Sequence, residues 1–559
     1  MESRSAQAIE QNRGQNRMAG ESSRGDSSLF ASNLSRKFDA YGNGRITSFK
    51  YNRPFLVHRM APFLLCLIVF ILSACLLRAF SVRSSASSGS LKQPPSPPSL
   101  PIIGHIHLLG SVLPKSFQTL ARRYGPLMQI RIGGSNFWVA SDAAVAKEIL
   151  QMNDVNFASR FELGPVQYSI YRGVEFVTAP YNPYYRFMKK LCLTKLFAAS
   201  QYERFRRSRG EEIERLVRSL VSLSMEGKAC NLSTELGLLM NRLIFKMIMS
   251  KRYSKFTESV ATIQSSVKVM LELGAKLGVY EVFGPLKCYD LFGHGKKLTA
   301  AMLRYDGLVE EIMKDYENGE QGVESGDESG RDLMELLLAA SRDDAADILL
   351  TRRHIKNFFL EMLFASTDTS TAALQWAMTE LINNPAILEK LREEIKSVVP
   401  EGPIKESDIP NLPYLQSVVK ETLRLHTPTP LLFRECSREC QVGEYQVKAG
   451  TRFFINLYAI MRDPSAWTDE EEFVPERFLM KDSTLLEFQY FPFGGGRRVC
   501  IGMAFANMVM ALAIGTLAQC FDWELKSGEK IDVKVGSGFS GAMARPLLCH
   551  PITRYDPFK

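Results

Sequence analysis

The sequence is poor in the residues that metal clusters and disulfide frameworks need. Its 559 residues hold ten cysteines and seven histidines. Ten cysteines without framework spacing exclude a stapled secreted fold. No Cys or His pair near the most informative cysteine, Cys500, has zinc-ligand spacing, and none of the seven histidines lies within 40 residues of it, which weakens a Cys-His nucleophile. No Gly-x-x-x-x-Gly-Lys-Ser/Thr motif occurs, so the glycine run near residue 495 is not a P-loop. No 20–50 residue repeat is visible, and no second linker divides the chain after residue 100.

What is present is ordinary globular composition, with 45% hydrophobic, 10% aromatic and 23% charged residues. That excludes a wholly disordered or collagenous chain. At roughly 150 residues per domain, length alone predicts three or four domains. The net charge of +9 suggests nucleic acid until its location is read. Residues 1–59 carry ten Lys/Arg against five Asp/Glu, and residues 60–93 add Arg78, Arg83 and Lys92, which leaves about +1 for the remaining 466 residues. The excess is N-terminal, and a nucleic-acid partner loses its support.

Ala61–Leu77 contains no charge and lies between Arg59 and Arg78; with Ala79 and Phe80 it approaches the roughly 20 residues of a membrane-spanning helix. A buried core helix and a signal peptide are the alternatives. A Ser-rich stretch and Gln93-Pro94-Pro95-Ser96-Pro97-Pro98 follow, a stiff spacer that cannot continue a helix. The expected organisation is a disordered extension over 1–59, a transmembrane anchor over 60–80, a Ser/Pro-rich hinge over 81–100 and one catalytic domain over 101–559. Flanking charges nearly cancel, so orientation stays open unless translation starts at Met60, which places the large domain in the cytosol. Residues 1–59 are a targeting extension or lie upstream of the true start; recovery of their peptides from the native protein excludes the second option.

The main body reads as mainly α with small β-sheets. Helical spacing covers 203–225, with Ile213, Leu216, Val217 and Leu220 on one face, and a long pattern runs over 345–383 to Asn384-Pro385. Short strand-like runs lie at 128–132, 137–140, 444–447 and 452–456, and an acidic, Gly-rich loop at 316–330.

The chemistry is carried by Phe491–Gly502, reading FPFGGGRRVCIG. Glycines on both sides of Cys500 allow unusual dihedrals and close approach to a flat partner. Arg498 supplies a positive charge two residues away, and the apolar helix starting at Met503 directs its N-terminus at the thiol, which is expected to lower its pKa. A thiolate in an apolar loop suits a soft metal.

In these residues the chain resembles the haem-thiolate monooxygenases, the cytochrome P450 family. The signature Phe-x-x-Gly-x-Arg-x-Cys-x-Gly is matched by Phe493, Gly496, Arg498, Cys500 and Gly502. Glu-x-x-Arg is matched by Glu421 and Arg424, and Pro-Glu-Arg-Phe by Pro475–Phe478, whose Arg477 would complete a buried cluster with them. The oxygen-activating helix is matched by Ala365-Ser366-Thr367-Asp368-Thr369-Ser370. The spacer and Ala459–Pro464 resemble the plant microsomal branch, in particular flavonoid and triterpenoid oxidases.

The resemblance implies the cytochrome P450 fold, haem b on Cys500 as axial metal ligand, and electrons from NADPH through a reductase partner. It implies dioxygen and a hydrophobic small molecule as substrates, membrane lipid as a contact, and an endoplasmic-reticulum anchor with the domain facing the cytosol, a plastid address being the weaker alternative. Thr369 and Asp368 would deliver protons. Tyr185, Lys189, Arg434, Phe493 and Arg498 would hold the cofactor. Phe364, Ala365, Leu431, Leu432 and Met543 would line the substrate pocket, with a triterpenoid-like skeleton preferred. Three positions depart from the family pattern: Ser366 replaces a helix glycine, Tyr185 stands where Trp is usual, and Ile501 replaces a proline. A reductase-independent isomerase or dehydratase and a non-catalytic haem-binding membrane protein are the rival functions.

Overall fold

Proline and side-chain caps set the element boundaries in this computed structural model. It describes residues 92–559 except 163–165, 279, 281–288, 291, 320–330, 344–346, 480–488, 526–529 and 537–540, together with positions 69 and 73. The expected extension, the anchor (those two positions apart) and the start of the hinge therefore lie outside the described residues.

The main elements run as follows: α1 (Leu113–Tyr124), β1 (Leu127–Ile132), β2 (Ser135–Ala140), α2 (Pro183–Leu191), α3 (Ala199–Met225), β3 (Cys230–Asn231), α4 (Leu232–Met249), α5 (Thr257–Gly278) and α6 (His294–Gly319). There follow α7 (Leu333–Ser341), α8 (Arg352–Asn383), α9 (Pro385–Val398), α10 (Pro413–Leu425), β4 (Leu431–Glu435), β5 (Cys440–Val442), β6 (Tyr445–Val447) and β7 (Arg452–Asn456). The chain ends with α11 (Met503–Cys520), β8 (Phe521–Glu524) and β9 (Leu548–Thr553). The described residues from 92 onward form one compact unit, which overturns the three or four domains that length suggested.

Helix α8 is the axis of this body. Its start is seven residues later than the periodicity suggested, because the Thr351 side chain accepts from the His354 amide and caps it there. Its end is fixed by Pro385, which opens α9 as N1. It packs against α4, α10 and α11, and Leu374, Trp376 and Ala377 are fully buried in it. Helix α11 is apolar and long enough to cross a membrane, yet 67% of it is buried within the body. It is a core helix, and it points its first residues at Cys500.

The principal sheet has the order β1-β2-β7-β4, with β2 and β7 parallel and the outer pairs antiparallel. Strands β3, β9 and β8 form a second sheet and β5–β6 a hairpin. β1, β2, β6 and β7 fall where the alternation placed them. β3, β4, β5, β8 and β9 were not read as strands.

The proline-rich segment is docked for part of its length. The Gln129 amide on β1 donates to Pro95 O at 2.8 Å, and Pro94 and Pro97 are buried. His105 bridges Pro97 O (2.7 Å) and the Arg131 amide (2.7 Å). The folded body therefore includes residues from about 94, within the expected hinge, and does not begin at 101.

Candidate active site

A cavity of about 440 Å³ lies between α8 and the Cys500 loop, within the roughly 300–1,000 Å³ of small-molecule sites. One wall comes from Ala365, Ser366, Thr369 and Ser370 on α8; the opposite one comes from Phe493, Val499, Cys500 and Ile501. Leu431, Leu432 and Arg434 of β4 enter from a third side. Phe364 packs against the main core and Met543 accepts from the Thr379 hydroxyl at 3.4 Å; neither is on the wall.

The thiol loop is held by its glycines and by its neighbours. Gly496 has φ +64°, and a Cβ there would stand 2.1 Å from Leu150 O, so only glycine fits. Asp154 accepts from the Arg497 amide at 3.2 Å, and the Cys500 amide donates to Phe493 O at 3.1 Å. Cys500 is open to the cavity and otherwise enclosed by the protein. Its thiol is pushed up by burial, against the Gly502 amide and the charges of Arg160 and Lys189. The expected lowering by the helix N-terminus is thus present in kind and outweighed in sum.

Three guanidiniums, Arg160, Arg434 and Arg498, converge on the cavity. Arg434 and Arg498 are 2% and 4% exposed, and among the described residues each keeps one guanidinium nitrogen with no partner (Nη2 and Nη1). Burial, then the neighbouring guanidiniums, push Arg434 well down, and burial pushes Arg498 down to about 10. Among the described residues no carboxylate forms an ion pair with either. Buried cations of this kind call for anions. A soft thiol on one wall and a dicationic corner beside it fit an iron porphyrin with its carboxylates. Tyr185 lies under Arg498, and its hydroxyl donates to Arg497 O at 3.1 Å. Lys189 also donates to Arg497 O and is absent from the cavity wall.

On α8 the Thr369 hydroxyl donates to Ala365 O at 2.6 Å, one turn back, and Ser366 bonds Met362 O in the same way. Thr369 faces the cavity. Asp368 is exposed and off its wall, and desolvation without a pairing cation raises its carboxyl. The structure does not bring Asp368 and Thr369 to one surface.

The buried cluster behind the thiol loop assembles fully. Glu421 accepts from Arg424 at 2.7 and 2.8 Å, from Arg477 at 3.0 Å and from the Val474 amide at 2.9 Å. Arg424 spends its other donors on Met461 O, Glu470 O and Glu472 O. Every charge has a partner, as full burial requires.

Two charged cavity residues were not anticipated. Arg160 lies in the Phe157–Phe161 segment, and Glu361 sits on α8, two turns before Thr369. Glu361 was legible as the one acid in an apolar helical stretch. Arg160 carried no signal, because only the fold brings it to Cys500.

A family model described as Cytochrome P450 matches residues 94–548. Among curated relatives, cytochrome P450 705A1 of Arabidopsis thaliana is 40% identical over 499 residues, covering 87% of this chain and 96% of that protein. Beta-amyrin 24-hydroxylase of Glycine max is 37% identical over 484 residues, covering 84% and 94%. The 3,9-dihydroxypterocarpan 6A-monooxygenase of Glycine max is 37% identical over 481 residues, covering 83% and 94%. A zebrafish cytochrome P450 structure with progesterone superposes with a TM-score of 0.68 at 22% identity, over 78% of this chain and 99% of that one, and supports the fold. The chain belongs to the cytochrome P450 family, and it is a haem b monooxygenase.

Proposed function

We propose that the chain oxidises a hydrophobic plant specialised metabolite, triterpenoid or flavonoid-like, with electrons passed from NADPH by a reductase, while an N-terminal anchor over 60–80 holds it on the endoplasmic reticulum facing the cytosol. The observation that carries this is that Cys500, Thr369 and three guanidiniums line one cavity whose remaining wall is mostly apolar. The relatives named for beta-amyrin and dihydroxypterocarpan support the two substrate classes.

Haem b held through a thiolate would supply reductive activation of dioxygen. Cys500 would be that ligand, and the Gly502 amide would hydrogen-bond its sulfur. Arg434, Arg498 and Arg160 would hold the propionates, whose carboxylates would offset like charges that are costly in one corner. Tyr185 and Lys189 would fix Arg497 and through it the loop. Thr369 would hold and pass a proton into the cavity from the α8 wall, its own hydroxyl oriented by Ala365 O. Asp368 would reach that path only through water.

Phe176, Phe358, Met362 and Leu431 make the substrate wall apolar, so shape and desolvation dominate binding. The test is turnover of the haem-loaded protein with reductase and NADPH, using a triterpene and a flavone. An oxygenated product from either, dependent on NADPH, supports the reading; rearrangement without NADPH overturns it.

A further inference from the structure

Among the described residues, two pairs of cysteines hold their sulfurs in contact away from the cavity. Cys230 and Cys549 face each other across β3 and β9, with sulfurs 3.8 Å apart, and are 3% and 1% exposed. Cys436 and Cys440 stand at the two ends of the β4–β5 connection, with sulfurs 3.7 Å apart. Cys436 is buried, while Cys440 is half-buried. The first pair offers no thiol to a solute. The second offers one reachable thiol backed by an enclosed one, the arrangement of an attacking and a resolving cysteine.

Burial pushes both thiols of the second pair up, Cys436 to about 12, while the hydrogen bond from Cys436 opposes the rise at Cys440. Cys440 is therefore the sulfur that reacts first. A disulfide needs the sulfurs to close from 3.7 Å to about 2.05 Å. Residues 437–439 between them are exposed and belong to no helix or strand, so they can follow. The movement takes the Cys436 sulfur off Arg438 O, to which its thiol donates at 2.8 Å.

The same turn is tied to the guanidinium corner. The Glu435 amide donates to Ser159 O at 2.9 Å and the Ser437 amide to Asn156 O at 2.8 Å. Segment 156–160 carries Arg160, and its Ala158 O accepts from Arg498. Arg434 lies two residues before Cys436, about 7 Å along the strand direction. A shift of the 435–437 backbone is therefore felt at the supports of all three cavity guanidiniums.

We propose that Cys436 and Cys440 are a modification site for hydrogen peroxide, whose product disulfide loosens the hold of the guanidinium corner on haem. The Cys440 thiol attacks the O–O bond; a sulfur–oxygen bond forms, and the other oxygen leaves with the thiol proton as water. The Cys436 thiol then displaces the sulfenic oxygen as a second water, and the S–S bond forms. The two sulfurs lose two electrons and the peroxide gains them. Dioxygen that takes two electrons and two protons without yielding product is released as hydrogen peroxide, so unproductive use of reductant by the enzyme supplies the oxidant. Reduction by a thiol restores the starting state.

The test uses the full, haem-loaded chain, treated with hydrogen peroxide, cleared with catalase, alkylated and digested with trypsin. Trypsin cuts after Arg434, Arg438 and Lys448, so the disulfide links peptide 435–438 to peptide 439–448. The expected result is that linked pair ahead of any bond between Cys230 and Cys549. Haem transfer to an acceptor protein is expected to be roughly fivefold faster, the effect of losing one backbone hydrogen bond. A phosphine reductant should restore the slow transfer, which separates disulfide formation from destruction of haem, and Cys440→Ser should transfer at one rate before and after peroxide. Peroxide that leaves both thiols of this pair free for alkylation overturns the proposal, as does a linked pair with unchanged transfer. Acceleration that persists in Cys440→Ser overturns it too; if that variant loads no haem, the wild-type peptide map and the phosphine reversal decide.

Discussion

Arg498 lies over the face of Tyr185, its guanidinium carbon 3.6 Å from the ring centroid. The ring substitutes for the indole usual in the family and does two jobs with one side chain: it covers a cation and its hydroxyl bonds Arg497 O. Tyr185→Phe is therefore expected to retain the stack and lose one hydrogen bond, worth about 1 kcal/mol, while Tyr185→Ala loses both. Haem-transfer rates to an acceptor protein should rise modestly in the first variant and strongly in the second. Equal rates in both would show that the stack contributes nothing.

Arg434→Leu removes one buried cation from the corner where guanidiniums depress one another. The expected result is lower haem content after expression and faster haem loss, with the apoprotein no less stable in urea than the wild type. A large loss of apoprotein stability would place Arg434 in the fold and not in the cofactor corner.

Glu421 neutralises two arginines and is fully buried with Arg424. Glu421→Ala leaves both cations uncompensated, and a loss of about 3–5 kcal/mol is expected. Equilibrium or kinetic unfolding in urea measures it; a change under about 1 kcal/mol would contradict the buried-cluster account.

Burial raises Glu361 from 4.5 and Asp332 from 3.8, each to about 7. A folded-state pKa above the unfolded one means that the native state binds more protons over that interval. The contribution to stability is complete below the ordinary carboxyl range and is lost as pH rises through about 7. Thermal unfolding between pH 5 and 7 should therefore show this loss, and Glu361→Gln should flatten its own share. An unchanged slope in that variant would contradict the shift.

The thiol loop and the helices over 203–225, 345–383 and after Met503 were legible because each is a local pattern, a glycine-lined cysteine or an apolar helical run; the Glu421 cluster was carried by the family resemblance, since an i,i+3 pair by itself is usually surface decoration. Arg160 was not, since its approach to Cys500 depends on long-range packing of the 157–161 segment. Strand β4 was missed although Leu431, Leu432 and Arg434 were assigned to the site, because its register comes from pairing with β7. Asp368 shows the converse. A motif carries a residue into a list of functional groups, while helix geometry places it one step round from the cavity face.

Thr369→Ala tests the proton path. Its hydroxyl faces the cavity and is oriented by Ala365 O, so the variant should bind substrate normally and consume NADPH with less product per equivalent. Unchanged coupling would remove Thr369 from the path. Asp368→Asn, off the wall, should have the smaller effect.

Thiolate ligation by Cys500 is the central claim, and the ferrous carbon monoxide difference spectrum tests it most directly. The account predicts the red-shifted Soret band of a thiolate-ligated haem for the wild type, and its loss in Cys500→Ser. A wild-type spectrum of the imidazole-ligated kind, or a thiolate band that survives in Cys500→Ser, would contradict it.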